Sequence, residues 1–246
     1  MPIFAKLEIC RDATPRSAAV NMAIDEALLE TVKVPSIRFY QWKSPALSFG
    51  YFGNFADVAG YATERDLVRR WTGGGIVFHG DDLTYSIIIP ANEPAFGESP
   101  KLTYEKIHCA LRDALAANGE AVELAAMAGH ATLRRPRTAR RDVSANACFA
   151  NPVRADVMVN GRKVAGAAQR RTRAGLLHQG SIQLATGRFR VATATGDVDF
   201  GNCLAERFAR ELSKVRNAKS LSNSLVERAE KIAEQKYNTQ NWLQRR

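Results

Sequence analysis

Arg69-Arg70-Trp71-Thr72-Gly73-Gly74-Gly75-Ile76-Val77-Phe78-His79-Gly80 joins an arginine pair to three consecutive glycines, a short apolar run and a histidine. Glycine has no Cβ, so a backbone built from three of them can approach a bound group closely and aim N–H groups at an oxyanion, a carboxylate or a phosphate. An arginine alongside adds a fixed charge and a forked donor. The same pattern is also compatible with a glycine-rich turn that holds nothing. A histidine beside such a loop can act as a general base or can hold the loop by hydrogen bonding. We expect the holding role for His79 and, further along, for His178.

Working outward, apolar residues recur four apart at Val20, Ile24, Leu28 and Val32. That is the stripe of an amphipathic helix, with Ser17 as its N-cap and Pro35 just past its end. Two apolar, aromatic-rich runs, Ile37–Trp42 and Ala46–Phe52, flank Lys43-Ser44-Pro45 and predict adjacent strands. Leu83–Ile89 predicts another, stopped by Pro90. Ser99-Pro100 opens a second helix carrying Tyr104, Ile107, Leu111 and Leu115, with Asn118-Gly119 as its stop. Asp156–Val159, Asn160-Gly161 and Arg162–Ala168 read as strand, two-residue turn and strand, because both turn positions need positive φ. Leu176–Leu184 follows as a strand, and the tail reads as two helices marked by Leu204, Phe208, Leu212 and by Leu221, Leu225, Ile232. Helices and hairpins without strict βαβ alternation predict an α+β fold, with a mixed or antiparallel sheet flanked by helices. We expect one domain over residues 1–246, with a helical C-terminal segment from about 203 to 246 and no accessory domain.

Composition narrows the functional classes. No uncharged apolar run approaches the roughly 18 residues of a membrane span, and Met1–Val20 lacks the apolar core of a secretory signal. A cytoplasmic protein is the expectation. Cys10, Cys109, Cys148 and Cys203 are widely spaced, with no C-x-x-C, so no metal site is expected and reduced thiols, mostly buried, are the default. The formal charge of +10 favours encounter with an acidic partner. Its densest stretch, Arg134–Arg141, fits a solvated loop or a docking patch. A nucleic-acid-binding module is the competing class, but no RNA or DNA motif is present and no aromatics interleave the basic run.

Arg70–His79 resembles the R-x-[ST]-G-G-G-x-V-x-H signature of the lipoate–protein ligase and octanoyltransferase family, relatives of biotin ligase. Asn21–Leu29 resembles the first helix of that family, Asn160–Gln169 its lysine hairpin and Leu177–Ile182 the strand that follows. Lys236-Tyr237 and Trp242 resemble its closing residues, so the similarity runs through essentially the whole chain. The resemblance implies a biotin/lipoyl protein ligase-like domain in which Arg70, Gly73, Gly74, Gly75 and His79 line an acyl pocket. It also implies that Lys163 points into that pocket and that Gly166, Ala167, Gly180 and Ser181 leave room for the chain. Judged without the family, Lys163 would be an exposed hairpin lysine.

Two chemistries compete within that family. A ligase activates free lipoate with ATP and Mg, then passes the adenylate to a protein lysine. An octanoyltransferase takes octanoyl from acyl carrier protein through a cysteine thioester and needs no cofactor. Ala147-Cys148-Phe149 resembles the cysteine loop of one octanoyltransferase branch, which implies Cys148 as nucleophile and Lys163 as its partner. The residues after it, Phe149–Asp156, match that branch only loosely. An ammonium beside a thiol stabilises the thiolate. The transferase reading is therefore preferred, with acyl carrier protein as donor and a lipoyl-domain protein such as glycine-cleavage H protein as acceptor. The alternatives are the ATP-dependent ligase and a non-catalytic acyl-binding relative.

Overall fold

The computed structural model describes residues 2–117, 121–126, 152–183 and 197–245. Strand β1 (Lys6–Arg16) leads into α1 (Ala18–Thr31), then β2 (Ser36–Trp42), β3 (Ala46–Phe49), β4 (Asp66–Arg69), β5 (Val77–His79) and β6 (Asp82–Pro90). After α2 (Pro100–Ala116) come β7 (Val122–Leu124), β8 (Val157–Val159), β9 (Arg162–Arg171) and β10 (Gly175–Gln183). The chain then forms α3 (Asp197–Leu212), β11 (Val215–Ala218), α4 (Asn223–Ile232), a π-helical turn at Ala233–Tyr237 and α5 (Gln240–Leu243).

Eight strands form one sheet in the order β11-β1-β2-β6-β10-β9-β8-β7, and β4-β3-β5 form a second. The large sheet is mixed: β11, β1 and β2 run parallel, while β2–β6, β6–β10 and β10–β9 are antiparallel. One core packs α2 and α3 against one face, through Ile107, Leu111, Phe208 and Leu212. Another packs α1 and α4 against the other, through Ile24, Leu28, Ala229 and Ile232. The α+β architecture expected from the sequence is the one observed.

Local signals carried where the physics is local. Ser17 Oγ accepts from Val20 N at 3.4 Å and opens α1, and Ser99 Oγ accepts from Leu102 N at 3.3 Å, with Pro100 in the first turn of α2. Asn160 and Gly161 have φ of 50° and 73°, the turn geometry that lets β8 and β9 form a hairpin.

The pairing of Ile37–Trp42 with Ala46–Phe52 is corrected. β2 lies between β1 and β6, whereas β3 lies between β4 and β5 in the other sheet. The chain turns out of the large sheet at Pro45, whose carbonyl accepts from Asp66 N at 3.0 Å and so starts the β3–β4 ladder. β1 and β11 were also not foreseen; the charged residues of β1 mask a strand whose Leu7, Ile9 and Cys10 are buried.

Candidate active site

A pocket with about 450 Å³ of empty space, counted out to solvent, lies between the small sheet and the β9–β10 pair. β3 and β5 contribute Ser48 and His79, the loop between β4 and β5 contributes Arg70 and Gly74, and Gly166, Ala167, Gly180 and Ser181 line the opposite side. Met22, Tyr40 and Trp42 give it apolar surface. The absence of a Cβ matters differently on the two strands. A Cβ on Gly180 would overlap the buried Tyr85 ring, and one on Gly166 would overlap the end of the Lys163 side chain.

On the glycine-loop side a chain of hydrogen bonds runs through buried groups. Arg70 Nη1 donates to Ser48 Oγ at 2.7 Å, and Nη2 donates to the carbonyls of Gly73 and Gly75 at 2.9 and 2.8 Å. Ser48 Oγ lies 2.7 Å from His79 Nε2, and His79 Nδ1 lies 2.8 Å from Asp82 Oδ2. The serine can then give its proton to Nε2 while the ring donates from Nδ1 to the carboxylate. Thr84 and Ser181 hydroxyls donate to the same Asp82 oxygen at 2.8 and 2.7 Å. Burial pushes the Asp82 carboxyl upward, but His79, Ser181 and the Gly80 N–H outweigh it and hold it below the usual carboxylate value. Trp42 stacks on His79 at 4.1 Å. The glycine carbonyls thus face the guanidinium, where the sequence had suggested only outward N–H groups.

On the hairpin side, Lys163 Nζ pairs with Asp156 Oδ2 at 2.7 Å, with both side chains almost wholly buried. Tyr104 on α2 donates to Asp156 Oδ1 at 2.6 Å, and its oxygen accepts from Ala167 N at 3.2 Å. Val153 N also donates to Asp156, at 2.6 Å. A β-bulge between β8 and β9 interrupts the register beside these groups, which leaves room for the carboxylate at the edge of β9. The lysine is therefore not the exposed hairpin residue that a bare reading of the turn suggests.

Under the pocket, Arg38 is fully buried and bonds to Asp12 at 2.7 Å, Asp25 at 3.0 Å and Asn21 Oδ1 at 2.7 Å. Asp25 also accepts from Ser86 at 2.7 Å and from Gln179 at 2.8 Å, and Gln179 Oε1 accepts from Thr72 Oγ1 at 2.7 Å. Burial raises the Asp25 carboxyl, opposed by Arg38 and these hydrogen bonds. This network explains the polar residues on the otherwise apolar α1, and it anchors the glycine loop to the large sheet.

His178 is fully buried on β10, away from the pocket lining, with Nδ1 3.1 Å from Gln169 Nε2 and Nε2 3.4 Å from the Tyr85 hydroxyl. Burial, then His108, holds its pKa well below the ordinary value. His108 donates to the Ala155 carbonyl across 2.7 Å, and burial lowers it to about 4.

Arg70, Gly74, His79, Gly166, Ala167, Gly180 and Ser181 thus share one pocket. Gly73 and Gly75 hold Arg70 from behind, and Lys163 abuts Gly166. Cys148 and Arg134–Arg141 lie outside the described residues. Of the other cysteines, Cys10 is buried, with its thiol pushed up to about 11 mainly by desolvation, while Cys109 is half-buried and Cys203 exposed. Sequence reasoning missed Ser48, Asp82, Tyr104 and Asp156. Asp82, three residues from His79, is the one that carried a local signal.

Among the described residues no helix is long and apolar enough to cross a membrane. Residues 17–233 match the lipoyl protein ligase A/B catalytic domain family. The chain is 37% identical to octanoyltransferase LipM of Oceanobacillus iheyensis over 179 residues, 70% of this chain but 62% of that protein. It spans less than two thirds of that relative. Octanoyltransferase LipM of Symbiobacterium thermophilum is 32% identical over 96% of this chain and 97% of its own length. In fold, the chain is similar to lipoate-protein ligase A bound with ATP, with a TM-score of 0.73 at 20% identity, covering 97% of this chain and 98% of the other. A putative lipoate protein ligase from T. acidophilum with bound lipoic acid gives 0.72 at 20% identity, covering 97% and 99%.

Proposed function

Because the chain belongs to the lipoyl protein ligase A/B catalytic domain family, we propose that it is an octanoyltransferase of protein lipoylation. Octanoyl is taken from acyl carrier protein onto Cys148 and passed to a lysine of a lipoyl-domain protein such as glycine-cleavage H protein. The observation that carries this reading is the buried Lys163–Asp156 pair, set against the glycine that opens the pocket wall. Similarity to octanoyltransferases named LipM supports it.

In the first half-reaction the Cys148 thiolate attacks the thioester carbonyl. A carbon–sulfur bond forms, that to the carrier thiol breaks, and the carrier sulfur leaves with a proton supplied at Lys163. In the second, the acceptor amine attacks the Cys148 thioester, the carbon–nitrogen bond forms, and the cysteine sulfur leaves as the amine gives up its proton to Lys163. Each exchange is nearly isoenergetic or downhill, so neither ATP nor a metal is required. Arg70, Gly74 and His79 bound the pocket beside the reacting carbonyl, and Gly166, Ala167, Gly180 and Ser181 leave space for the chain.

Intact-mass spectrometry after mixing with octanoyl-acyl carrier protein, without ATP, tests the proposal. One octanoyl adduct is expected, lost in Cys148→Ala. An adduct that persists in the variant excludes Cys148 as nucleophile. Product formed only with ATP, and no adduct without it, replaces the transferase reading with the ligase one.

A further inference from the structure

Beside the mouth of the pocket, three cations gather around aromatic rings, and of the three only Lys236 has a carboxylate partner among the described residues. Arg170 lies two residues beyond pocket-lining Ala168 on β9, with its Cζ 5.2 Å from the Tyr51 ring centre and 5.1 Å from that of Trp71. Arg245 approaches the same Tyr51 ring at 4.5 Å and Trp242 at 5.2 Å. Lys236, caged by Trp71 and Trp242 at 4.3 and 4.4 Å, is ion-paired with Glu26 at 2.7 Å. Among the described residues, neither Arg170 nor Arg245 has a carboxylate in ion-pair range, and Arg170 Nε is buried without a hydrogen-bond partner. Beneath them, fully buried Arg69 donates to the carbonyls of Tyr51, Gly53, Trp242, Leu243 and Arg245. Its pKa is lowered by burial and then by Arg245; that of Lys236 is lowered by burial and by Arg170 and Arg245, against Glu26. The cations press on one another.

Phe52 stands on this rim with 88% of its surface exposed, edge-on to Tyr51 at 5.0 Å. Its platform is fixed to the glycine loop. Tyr51 N donates to the Thr72 carbonyl at 2.8 Å, and a Cβ on Gly50 would overlap the backbone of Gly73 and Gly74. An exposed aromatic packed on an arginine-flanked tyrosine is the composition of an interface anchor, and a net positive cluster draws in a negative partner.

We propose that the rim formed by Phe52, Tyr51, Arg170 and Arg245 is the docking surface for the acidic carrier domain that delivers the acyl group as a thioester. The proposal rests on the acyl-transfer reading above. The donor is the occupant because its acidic surface complements the cluster. The acceptor's reacting amine, when protonated, is repelled by the same charges.

Phe52→Ser, Arg245→Glu and Arg170→Gln, singly and combined in the full chain, test it with two donors: octanoyl-acyl carrier protein and the uncharged octanoyl-N-acetylcysteamine thioester. In the combined variant KM for the carrier-bound donor should rise about tenfold or more with a flatter salt dependence, while the small thioester reacts within about twofold of wild type. Equal loss with both donors overturns the proposal, as does an unchanged KM for the carrier. ATP binding that disappears in Arg170→Gln while the carrier KM holds assigns the cluster to a nucleotide phosphate and overturns it too. Wild type that transfers octanoyl from neither donor counts against the acyl-transfer reading. Docking is then decided by fluorescence anisotropy of labelled carrier protein, where equal affinity for wild type and the combined variant rejects the surface.

Discussion

On the glycine-loop side of the pocket, Arg70, Ser48, His79 and Asp82 are linked in one continuous chain, its members seated on short strands and fixed loops. On the hairpin side, the Lys163 amine pairs with the Asp156 carboxylate, with Tyr104 behind it. The first arrangement is shape held by hydrogen bonds: every member positions the next, and removing one leaves a buried group without its partner. The second places a buried amine on a four-carbon stem against Gly166, held by the Asp156 carboxylate. The contrast separates a wall that builds the pocket from a wall that can take part in proton transfer.

The largest expected effect is on the hairpin side. Lys163→Arg keeps a cation for Asp156 but substitutes a group that does not release its proton at working pH. Octanoyl transfer should fall roughly 100-fold or more, with little change in thermal midpoint. A near-normal single-turnover rate would mean that the lysine serves only as fixed charge, and the contrast would fail.

Next in size is a pair of glycine substitutions that sharpens it. In Gly50→Ala the new Cβ meets the backbone of Gly73 and Gly74, which cannot swing aside. A loss of roughly 1–3 kcal/mol in denaturant-measured stability is expected. In Gly166→Ala the new methyl meets Lys163 Cε and Nζ, the far end of a flexible chain, so stability should stay near wild type while transfer drops. Equal stability losses in the two variants would break the distinction.

The smallest effect concerns Asp82. Its pKa in the folded chain is depressed, so the carboxylate contributes stability above its unfolded value and loses that contribution as pH falls through the folded one. Asp82→Asn should therefore cost roughly 1 kcal/mol near neutrality, with the gap to wild type closing as pH falls below the ordinary aspartate range. A gap that stays constant with pH in urea titrations would show that charge at Asp82 does not hold the histidine.

Legibility followed distance along the chain. The Ser17 and Ser99 caps, the Asn160-Gly161 turn and the triple glycine depend on a few neighbouring residues and could be read directly. The separation of β2 from β3 could not, because both runs are apolar and period alone does not say which strand lies alongside. Tyr104 and Asp156 looked like an ordinary helix residue and a strand start; their roles arise because α2 packs over the point where β8 diverges from β9. Phe52 and Arg170 are far apart in sequence and meet only through the Tyr51 ring.

The sequence by itself determined the α+β class, the turns and caps, and which residues lack a Cβ where backbone must come close, because steric limits on φ and ψ act within a few residues. Tertiary structure alone decided which carboxylate meets Lys163, which hydroxyl meets His79, and where Arg170 and Arg245 gather around one tyrosine ring. Those outcomes depend on strand register and on helices packing across the sheet, which bring together groups whose burial is tolerable only when each finds its partner.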